Sequence, residues 1–360
     1  MRTSDVRVRR AITAVAAGRA AVVSGTTDDS DGYLVFAADA ATPKLLAFTI
    51  RHTSGYVRVA LPGAECERLN LPPMCNSDNG GSDAAAQRVT VDLRQPGTGI
   101  SATDRARTIT ALASPHSTAP DFLRPGHVIP VHAGPGGVLI RPGAAEAAVD
   151  LARLAGRRPA GVLCEIVSRR RPTAMARRGE LVEFGVEHSL PIVSIDEIIE
   201  YRRRTEPQVV RLAESILPIS AGASRVIGFR DVHTGGEHLA VIVGNVGPGV
   251  AVPLHVHVEC LTGDVFGSKA CRCGGELAGA LEAMRIQGGG VIVYARPAGP
   301  VRACGVLGGG DAGTADLTSD TVTWILRDLG VYTIRLSEDT TGFGLVMFGA
   351  IRDLGLCQAG

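Results

Sequence analysis

Aromatic residues, long apolar runs and net charge are all scarce in this sequence. Phe, Trp and Tyr together make up only 4% of the residues, which argues against a surface on which nucleic-acid bases stack. No apolar run is long enough to cross a bilayer. The formal charge of +1 gives no general attraction to nucleic acid or to anionic membranes. We therefore expect no nucleic-acid partner and no membrane.

Cysteine is sparse as well, since eight cysteines in 360 residues are too few for a disulfide scaffold. The N-terminal segment does not read as a secretory signal, because Arg19 interrupts its Ala- and Val-rich run early. These two features predict a reducing, cytoplasmic location.

The sequence does contain enough apolar residues, 45%, for two globular domains of ordinary size. Helical and strand-like segments alternate in the first half, which predicts a layered α/β domain. The basic run at residues 202–204, just before Pro207, is typical of a solvated helix end and marks a domain boundary. We therefore expect an α/β fold with two layered α/β domains, at residues 1–204 and 205–360.

Local patterns predict the individual elements of the first half. Segments with helical periodicity are residues 5–18, 42–50, 104–113, 144–155 and 180–188. Strand-like segments are residues 20–23, 33–38, 56–61, 88–93, 138–140, 161–164 and 191–194. Residues 75–86 are rich in small and polar side chains and predict a loop.

Three thiols lie close together in the second half, at Cys260, Cys271 and Cys273. Zinc prefers thiolate and imidazole ligands, and a catalytic zinc keeps one of its four positions open for water. Three cysteines with no obvious fourth ligand nearby fit that open arrangement. The alternative is buried cysteines that act as small apolar residues, since the spacing is not a paired C-x-x-C pattern.

The residues around these thiols carry a resemblance. Residues 258–268 read Val-Glu-Cys-Leu-Thr-Gly-Asp-Val-Phe-Gly-Ser, and residues 271–274 read Cys-Arg-Cys-Gly. This segment resembles the zinc segment of GTP cyclohydrolase II, which opens the imidazole ring of GTP in riboflavin synthesis. The resemblance implies a Zn²⁺ ion on Cys260, Cys271 and Cys273, and GTP as a substrate.

The first half resembles 3,4-dihydroxy-2-butanone 4-phosphate synthase over nearly all of residues 5–204. The phrases that carry the resemblance are IRHxSG at 50–55, TGISAxDR at 98–105, RPGHV at 124–128 and PAGVLCE at 159–165. That enzyme converts ribulose 5-phosphate, with two Mg²⁺ ions, into a four-carbon phosphate and formate. The order synthase then cyclohydrolase is that of bifunctional riboflavin biosynthesis enzymes of the RibBA family.

The synthase resemblance implies a catalytic and metal-binding group of residues. Asp31 and Glu165 would be catalytic, with Glu165 serving as a metal ligand or proton carrier. Asp29 would bind Mg²⁺.

The resemblance also implies a substrate-binding group. Arg105 and Thr108 would hold a phosphate through a guanidinium fork and a hydroxyl, and His127 would contact the substrate. Taken singly, Arg105, Thr108 and Glu165 would each be interpreted as part of a surface ion pair or a helix cap. We expect the protein to be a homodimer.

Several positions depart from the synthase pattern. The family's acidic loop Asp-Arg-Glu-Asn-Glu-Gly-Asp becomes Thr-Asp-Asp-Ser-Asp-Gly-Tyr at residues 27–33. Ala144 replaces a metal-binding histidine, and Arg58 replaces a cysteine. Because Mg²⁺ requires near-octahedral, oxygen-rich coordination, we expect the synthase activity to be weak or absent.

The second half departs further from its family. The Glu-Gly-Arg loop that grips the nucleotide becomes Ala-Gly-Pro at 298–300, and Asp-Leu-Arg becomes Asp-Leu-Thr at 316–318. A helix and loop are shortened to the glycine-rich residues 307–313, and the phosphate loop carries Glu338 and Asp339. Two negative charges at a triphosphate site oppose binding, so we expect the cyclohydrolase activity to be lost.

Three hypotheses follow from these patterns. The chain is a working bifunctional enzyme with substitute ligands, an inactive paralogue with a binding or regulatory role, or an enzyme acting on a related sugar phosphate. We favour a riboflavin-type protein of impaired activity.

Overall fold

The computed structural model describes residues 3–27, 30–74, 86–246, 251–307, 313–336 and 357–358. The chain divides into two compact units, Met1–Arg202 and Arg203–Gly360. Each unit contains a seven-stranded sheet with helices packed on it, which confirms two layered α/β domains. In the part of the chain described, no helix is both long enough and apolar enough to cross a membrane.

The N-terminal unit is built on a mixed sheet. Its strands are β1 (Ala21–Ser24), β2 (Gly32–Ala37), β3 (Arg58–Pro62), β4 (Val91–Leu93), β5 (Phe122–Ala133), β6 (Gly161–Glu165) and β7 (Ile192–Ser194). Its helices are α1 (Thr3–Ala16), α2 (Pro43–His52), α3 (Gly63–Arg68), α4 (Ala102–Leu112), α5 (Ala144–Leu154), α6 (Arg178–Glu187) and α7 (Ile195–Thr205). The strand order is β4-β5-β3-β6-β2-β1-β7.

Helix starts in this unit follow from local capping. Ser101 accepts a hydrogen bond from the Asp104 N–H at 3.0 Å at the start of α4. Thr42 does the same for the Leu45 N–H at 3.2 Å, and Pro43 occupies the first turn of α2. The helices predicted at residues 42–50 and 104–113 are confirmed. The loop predicted at 75–86 lies, except for Ala86, outside the described residues.

Two apolar cores cover the two faces of this sheet, because successive residues of a strand point to opposite faces. In β6, Cys164 belongs to one core and Leu163 to the other. Helix α4 packs on the Cys164 face through Ile109. Helix α5 packs on the Leu163 face through Leu151. This division determines which side chains can share a cavity.

The strand expected at residues 138–140 is wrong, since this segment lies in the short 3₁₀ turn Gly137–Leu139 and its cap. Gly136 and Gly137 have φ angles of 78° and 63°. These left-handed conformations are incompatible with an extended strand.

Arg202 does not belong to a solvated charge run, which corrects the expectation for residues 202–204. Its side chain is buried and donates to Asp150 Oδ2 at 2.6 Å and to the Gly136 carbonyl at 2.9 Å. The arginine side chain is long enough to reach from α7 to α5. Because Asp150 is 52 residues away in the sequence, the local sequence around Arg202 does not predict this contact.

The C-terminal unit is built on a second mixed sheet. Its strands are β8 (Val209–Ile219), β9 (Gly222–Asp231), β10 (Glu237–Gly244), β11 (Val252–Val258), β12 (Gly289–Ala295), β13 (Thr333–Leu336) and β14 (Cys357–Gln358). The strand order is β14-β13-β11-β12-β10-β9-β8. The helices are α8 (Cys273–Gln287) and α9 (Gly313–Asp328). Because β11 and β12 pair in parallel, their carboxyl ends reach the same edge of the sheet.

Candidate functional site

A cavity of about 540 Å³ opens on the Leu163 face of the N-terminal sheet. Its wall includes Asp31 and Tyr33 at the position of the family's acidic loop, Arg58 from β3 and Ala144 from α5. These are positions at which the synthase resemblance places metal and proton chemistry. The cavity is therefore the candidate synthase site.

Three arginines and three carboxylates meet in or beside this cavity, each arginine pairing with one carboxylate. The pairs are Arg58 with Glu165, Arg177 with Asp31 at 3.1 Å, and Arg141 with Glu146 at 3.7 Å. The carboxylates are thus balanced by cations of the chain itself.

The pair between Arg58 and Glu165 is the most enclosed of those that join predicted site positions. Only 15% of the Arg58 side chain and 18% of the Glu165 side chain are exposed. The Arg58 guanidinium also lies 5.8 Å from the ring centre of Tyr33. Burial, opposed by Arg58 and reinforced by the carboxylates of Glu165 and Asp31, raises the pKa of Tyr33. Tyr33 is therefore a neutral phenol where the family has an aspartate.

The described residues of this cavity do not fit a pair of Mg²⁺ ions. Glu165 is engaged by Arg58 and Asp31 by Arg177, while Ala144 offers no ligand atom. Mg²⁺ takes six oxygen ligands in strict geometry. Asp29 lies outside the described residues, so its expected role in binding Mg²⁺ stays a prediction.

Arg105 and Thr108 are not brought to this cavity within the chain, because α4 packs on the opposite face of the sheet. Arg105 donates to the Ile100 carbonyl at 3.1 Å and to the Gly55 carbonyl at 3.3 Å. The Thr108 hydroxyl accepts from the Leu93 N–H at 3.0 Å and donates to its own helix. Both side chains hold the fold together here, and their predicted phosphate contact stays untested.

His127 is also absent from the lining of the cavity. It lies on β5, where its Nδ1 is 2.6 Å from Asp92 Oδ2 and its backbone N–H donates to Asp92 Oδ1 at 3.0 Å. Its predicted contact with substrate stays a prediction.

In the C-terminal unit, the three expected thiols do come together, and a fourth joins them. The Sγ atoms of Cys260, Cys271, Cys273 and Cys304 all lie within 4.8 Å of one another. Cys304, which is 31 residues beyond Cys273, was not among the predicted ligands. A Cys-Gly pair, repeated at Cys273–Gly274 and Cys304–Gly305, was the one signal that marked it. Thiols are the donors that zinc prefers, so the cluster could hold this metal.

Hydrogen bonds in the cluster favour the ionisation of one thiol. Although burial opposes it, hydrogen bonds from Thr262 and from the backbones of Cys304 and Gly263 lower the pKa of Cys260 to about 6. Burial and the neighbouring thiols raise the pKa of Cys273.

Asp264 fixes the loop that carries Cys260. Its carboxylate accepts from the Cys260 N–H at 2.9 Å and from the Tyr294 hydroxyl at 2.8 Å, and it lies 3.0 Å from His257 Nε2. Both His257 and Asp264 are buried. This network ties the cluster to strands β11 and β12.

Two family models match the chain. The model for 3,4-dihydroxy-2-butanone 4-phosphate synthase matches residues 9–201, and the model for GTP cyclohydrolase II matches residues 210–303. The second match ends one residue before Cys304.

Solved structures resemble the chain as well. RibBX from A. baumannii, described as a two-domain 3,4-dihydroxy-2-butanone 4-phosphate synthase, has a TM-score of 0.68 and 31% identity, covering 92% of this chain and 94% of its own. A 3,4-dihydroxy-2-butanone 4-phosphate synthase solved with two magnesium ions has a TM-score of 0.52 and 36% identity, covering 55% of this chain and 97% of its own.

Curated relatives share both halves. The riboflavin biosynthesis protein RibBA of Nocardia farcinica is 50% identical over 293 residues, which is 80% of this chain and 70% of the relative. The protein of the same description from Mycobacterium tuberculosis is 49% identical over 297 residues, which is 80% of this chain and 69% of the relative. The chain belongs to the bifunctional RibBA family of riboflavin biosynthesis proteins.

Proposed function

We propose that the N-terminal unit keeps a sugar-phosphate cavity but has lost most or all of the Mg²⁺-dependent synthase turnover. The observation that carries this proposal is the ion pair between Arg58 and Glu165. The Arg58 guanidinium engages one oxygen of Glu165 and offsets the negative charge that would attract Mg²⁺. Ala144, at the position of the metal-binding histidine, cannot compensate.

Binding of a phosphorylated sugar is supported by the basic side chains of the cavity. Arg141 and Arg177 line it, and 36% and 44% of their side chains are exposed. Guanidinium groups bind phosphate with two parallel hydrogen bonds. Among the described residues, Arg58 Nε and Glu165 Oε2 are buried without a hydrogen-bond partner. Leaving such groups unpaired costs free energy, and Arg58 is itself part of the cavity wall.

Ribulose 5-phosphate is the ligand we propose, and altered chemistry on a related sugar phosphate is the second candidate. Calorimetry should detect ribulose 5-phosphate binding to the purified full chain, with equal affinity in the presence and absence of Mg²⁺. A formate assay under the same conditions should show little or no release.

A double variant sharpens this test. Arg58→Cys combined with Ala144→His restores two family positions and should raise Mg²⁺-dependent formate release above that of Ala144→His alone. Robust Mg²⁺-dependent formate release by the unmodified chain would refute the loss of turnover. Absence of ribulose 5-phosphate binding would refute the sugar-phosphate cavity.

We further propose that the C-terminal unit does not turn over GTP. Residues 298–300 are exposed and carry no charge where the family has Glu-Gly-Arg, and one lost charge-assisted hydrogen bond to a phosphate costs about 1.5–3 kcal/mol. Glu338 and Asp339 lie outside the described residues, and their repulsion rests on the sequence alone. Together these changes should lower GTP affinity on the order of a hundredfold to ten-thousandfold.

Titration calorimetry with GTP, at low and moderate salt, tests this second proposal. We expect no binding at micromolar GTP and no pyrophosphate release. Micromolar binding with pyrophosphate release would contradict it. We also propose that the protein is a homodimer located in the cytoplasm. Light scattering of the purified protein tests the dimer.

A further inference from the structure

The fourth thiol of the C-terminal cluster changes the kind of metal site that this chain can form. The Sγ atoms of Cys260 and Cys271 are 3.8 Å apart, and those of Cys273 and Cys304 are 4.0 Å apart. A tetrahedral zinc ion with Zn–S bonds of about 2.3 Å holds its sulfur atoms roughly 3.8 Å from one another. Two of the six Sγ–Sγ distances therefore match one zinc tetrahedron closely, and all six are within 4.8 Å.

Backbone hydrogen bonds bring Cys304 to this position. The Leu261 N–H donates to the Arg302 carbonyl at 2.9 Å, and the Thr262 hydroxyl donates to the Cys304 carbonyl at 3.0 Å. The Glu259 N–H donates to the Ala295 carbonyl at 2.9 Å, which continues the pairing of β11 with β12. The loop after β12 is thus attached to the loop after β11, and Cys304 is held next to Cys260.

Two glycines leave the space that the cluster needs. A Cβ atom on Gly263 would lie 3.0 Å from Cys271 Sγ and 3.0 Å from the Cys273 Cβ. Gly305, directly after Cys304, has a φ of 82°, and a Cβ there would approach the Ala270 side chain at 3.2 Å. The turn that carries Cys304 therefore requires a left-handed residue next to the thiol, and the sequence supplies glycine.

We propose that Cys304 is the fourth ligand of a closed, four-thiolate zinc site. The sequence pattern alone favours three thiolates and an open position for water. A zinc ion with four protein thiolates keeps no position for water and serves as a structural site. The ion would join the loop after β11, the start of α8 and the loop after β12. This inference concerns the ligand set and does not depend on the fate of GTP or ribulose 5-phosphate.

The first test counts sulfur ligands in the unmodified chain. Zinc-loaded protein, kept reduced, is examined by X-ray absorption at the zinc edge. Four sulfur atoms at about 2.3 Å are expected. Three sulfur atoms with one oxygen or nitrogen atom would overturn the proposal, and this measurement does not require any variant to fold.

The second test compares Cys304→Ser with Val306→Ser, which alters the same turn but removes no thiol. Val306 is 75% exposed, so this control should keep full zinc affinity. Because changing a residue that only orients a ligand costs about 10–100-fold in metal affinity, Cys304→Ser should lose at least that much in competition with a chromophoric chelator. In the cobalt-loaded protein, the sulfur-to-cobalt charge-transfer absorption should fall by roughly a quarter as four thiolates become three.

Cys304→His provides a third arm, because imidazole is also a zinc ligand. This variant should bind zinc more tightly than Cys304→Ser but should give the same sulfur-to-cobalt charge-transfer intensity, because both variants keep three thiolates. If Cys304→Ser retains the zinc affinity and the cobalt spectrum of the unmodified chain, Cys304 is not a ligand and the site is open.

Discussion

The cavity of the N-terminal unit and the thiol cluster of the C-terminal unit handle negative charge in opposite ways. In the cavity, the carboxylates of Asp31, Glu146 and Glu165 each face an arginine of the same chain. In the cluster, thiols face other thiols at Sγ–Sγ distances of 3.8 and 4.0 Å. In the first arrangement each carboxylate is paired with a cation of the chain itself. The second places four thiols, the donors that zinc prefers, within 4.8 Å of one another.

This difference shows how one member of a metal-dependent family could lose one metal site while keeping another. A single substitution that introduces Arg58 lets its guanidinium pair with Glu165. This pairing does not require the loss of water from a strongly hydrated Mg²⁺ ion. Four thiols packed around one point cannot be neutralised in this way, because guanidinium groups are too large to enter the centre. An arginine side chain can therefore take the place of a metal ion at a carboxylate site more easily than at a thiol cluster.

The largest expected effect is the loss of the metal from the thiol cluster. Cys260→Ser removes the one fully buried thiol of the four, and we expect zinc content to fall from about one ion per chain to nearly none. Arg272→Ala is the matched control, since this side chain lies between two of the thiols in sequence but is 83% exposed. Metal analysis after gel filtration in reducing buffer provides the measurement. If Cys260→Ser still carries about one zinc ion per chain, Cys260 is not needed for metal binding and the prediction is wrong.

The next largest effect concerns the buried pair between Arg202 and Asp150, which lies outside the cavity. Breaking it shows how much stability a buried arginine–carboxylate pair contributes in this fold. Arg202→Met removes the nearer of two cations from the buried Asp150 and leaves only Arg153, at 3.7 Å, so it should destabilise the N-terminal unit by about 3 kcal/mol, the lower end of the range for a broken buried pair. Arg203→Met is the neighbouring control, because 37% of its side chain is exposed; it should cost at most about 1 kcal/mol. Urea denaturation measures both. Equal losses would mean that burial does not set the strength of these pairs.

The helices, the central strands and three of the four clustered thiols could be predicted from the sequence, whereas the fourth thiol and the ion pairs of the cavity could not. Helical periodicity is local, so it predicts a helix at residues 144–155, and α5 spans Ala144–Leu154. The pair between Arg58 and Glu165 joins residues 107 positions apart. Cys304 reaches the cluster because β12 lies parallel to β11. Contacts of this kind arise when strands assemble into a sheet, and the period of a single segment carries no information about them.

A smaller effect is expected for Arg58 itself. Arg58→Met leaves Glu165 partly buried and unpaired, which should cost about 1–3 kcal/mol. This loss is smaller than for Arg202 because 15–18% of the Arg58 and Glu165 side chains remains exposed. Mg²⁺ should recover part of the loss in Arg58→Met but should not stabilise the unmodified chain or Arg58→Lys, which keeps its charge. Urea denaturation with and without Mg²⁺ measures this. Equal stabilisation of all three proteins would show that Arg58 does not exclude the metal.

The smallest effect on stability should come from Arg177, at the mouth of the same cavity. Its pair with Asp31 is 3.1 Å long, but 44% and 38% of the two side chains are exposed, and exposed pairs contribute only about 0.2–1 kcal/mol. Arg177→Ala should therefore unfold at nearly the same urea concentration as the unmodified chain. Its affinity for ribulose 5-phosphate should nevertheless fall by about tenfold or more, because a charge-assisted hydrogen bond to phosphate contributes about 1.5–3 kcal/mol.

Arg170→Ala is the control for this last prediction, since Arg170 pairs with Glu183 on an exposed surface and does not line the cavity. It should change neither stability nor binding. The difference in affinity between the two variants should shrink at high salt. The distance over which exposed charges attract one another falls from about 10 Å at 0.1 M salt to about 3 Å at 1 M. If both variants bind ribulose 5-phosphate as tightly as the unmodified chain, Arg177 does not contact the phosphate. In that case the arginines of the cavity serve only to neutralise its carboxylates, as Arg202 does for Asp150.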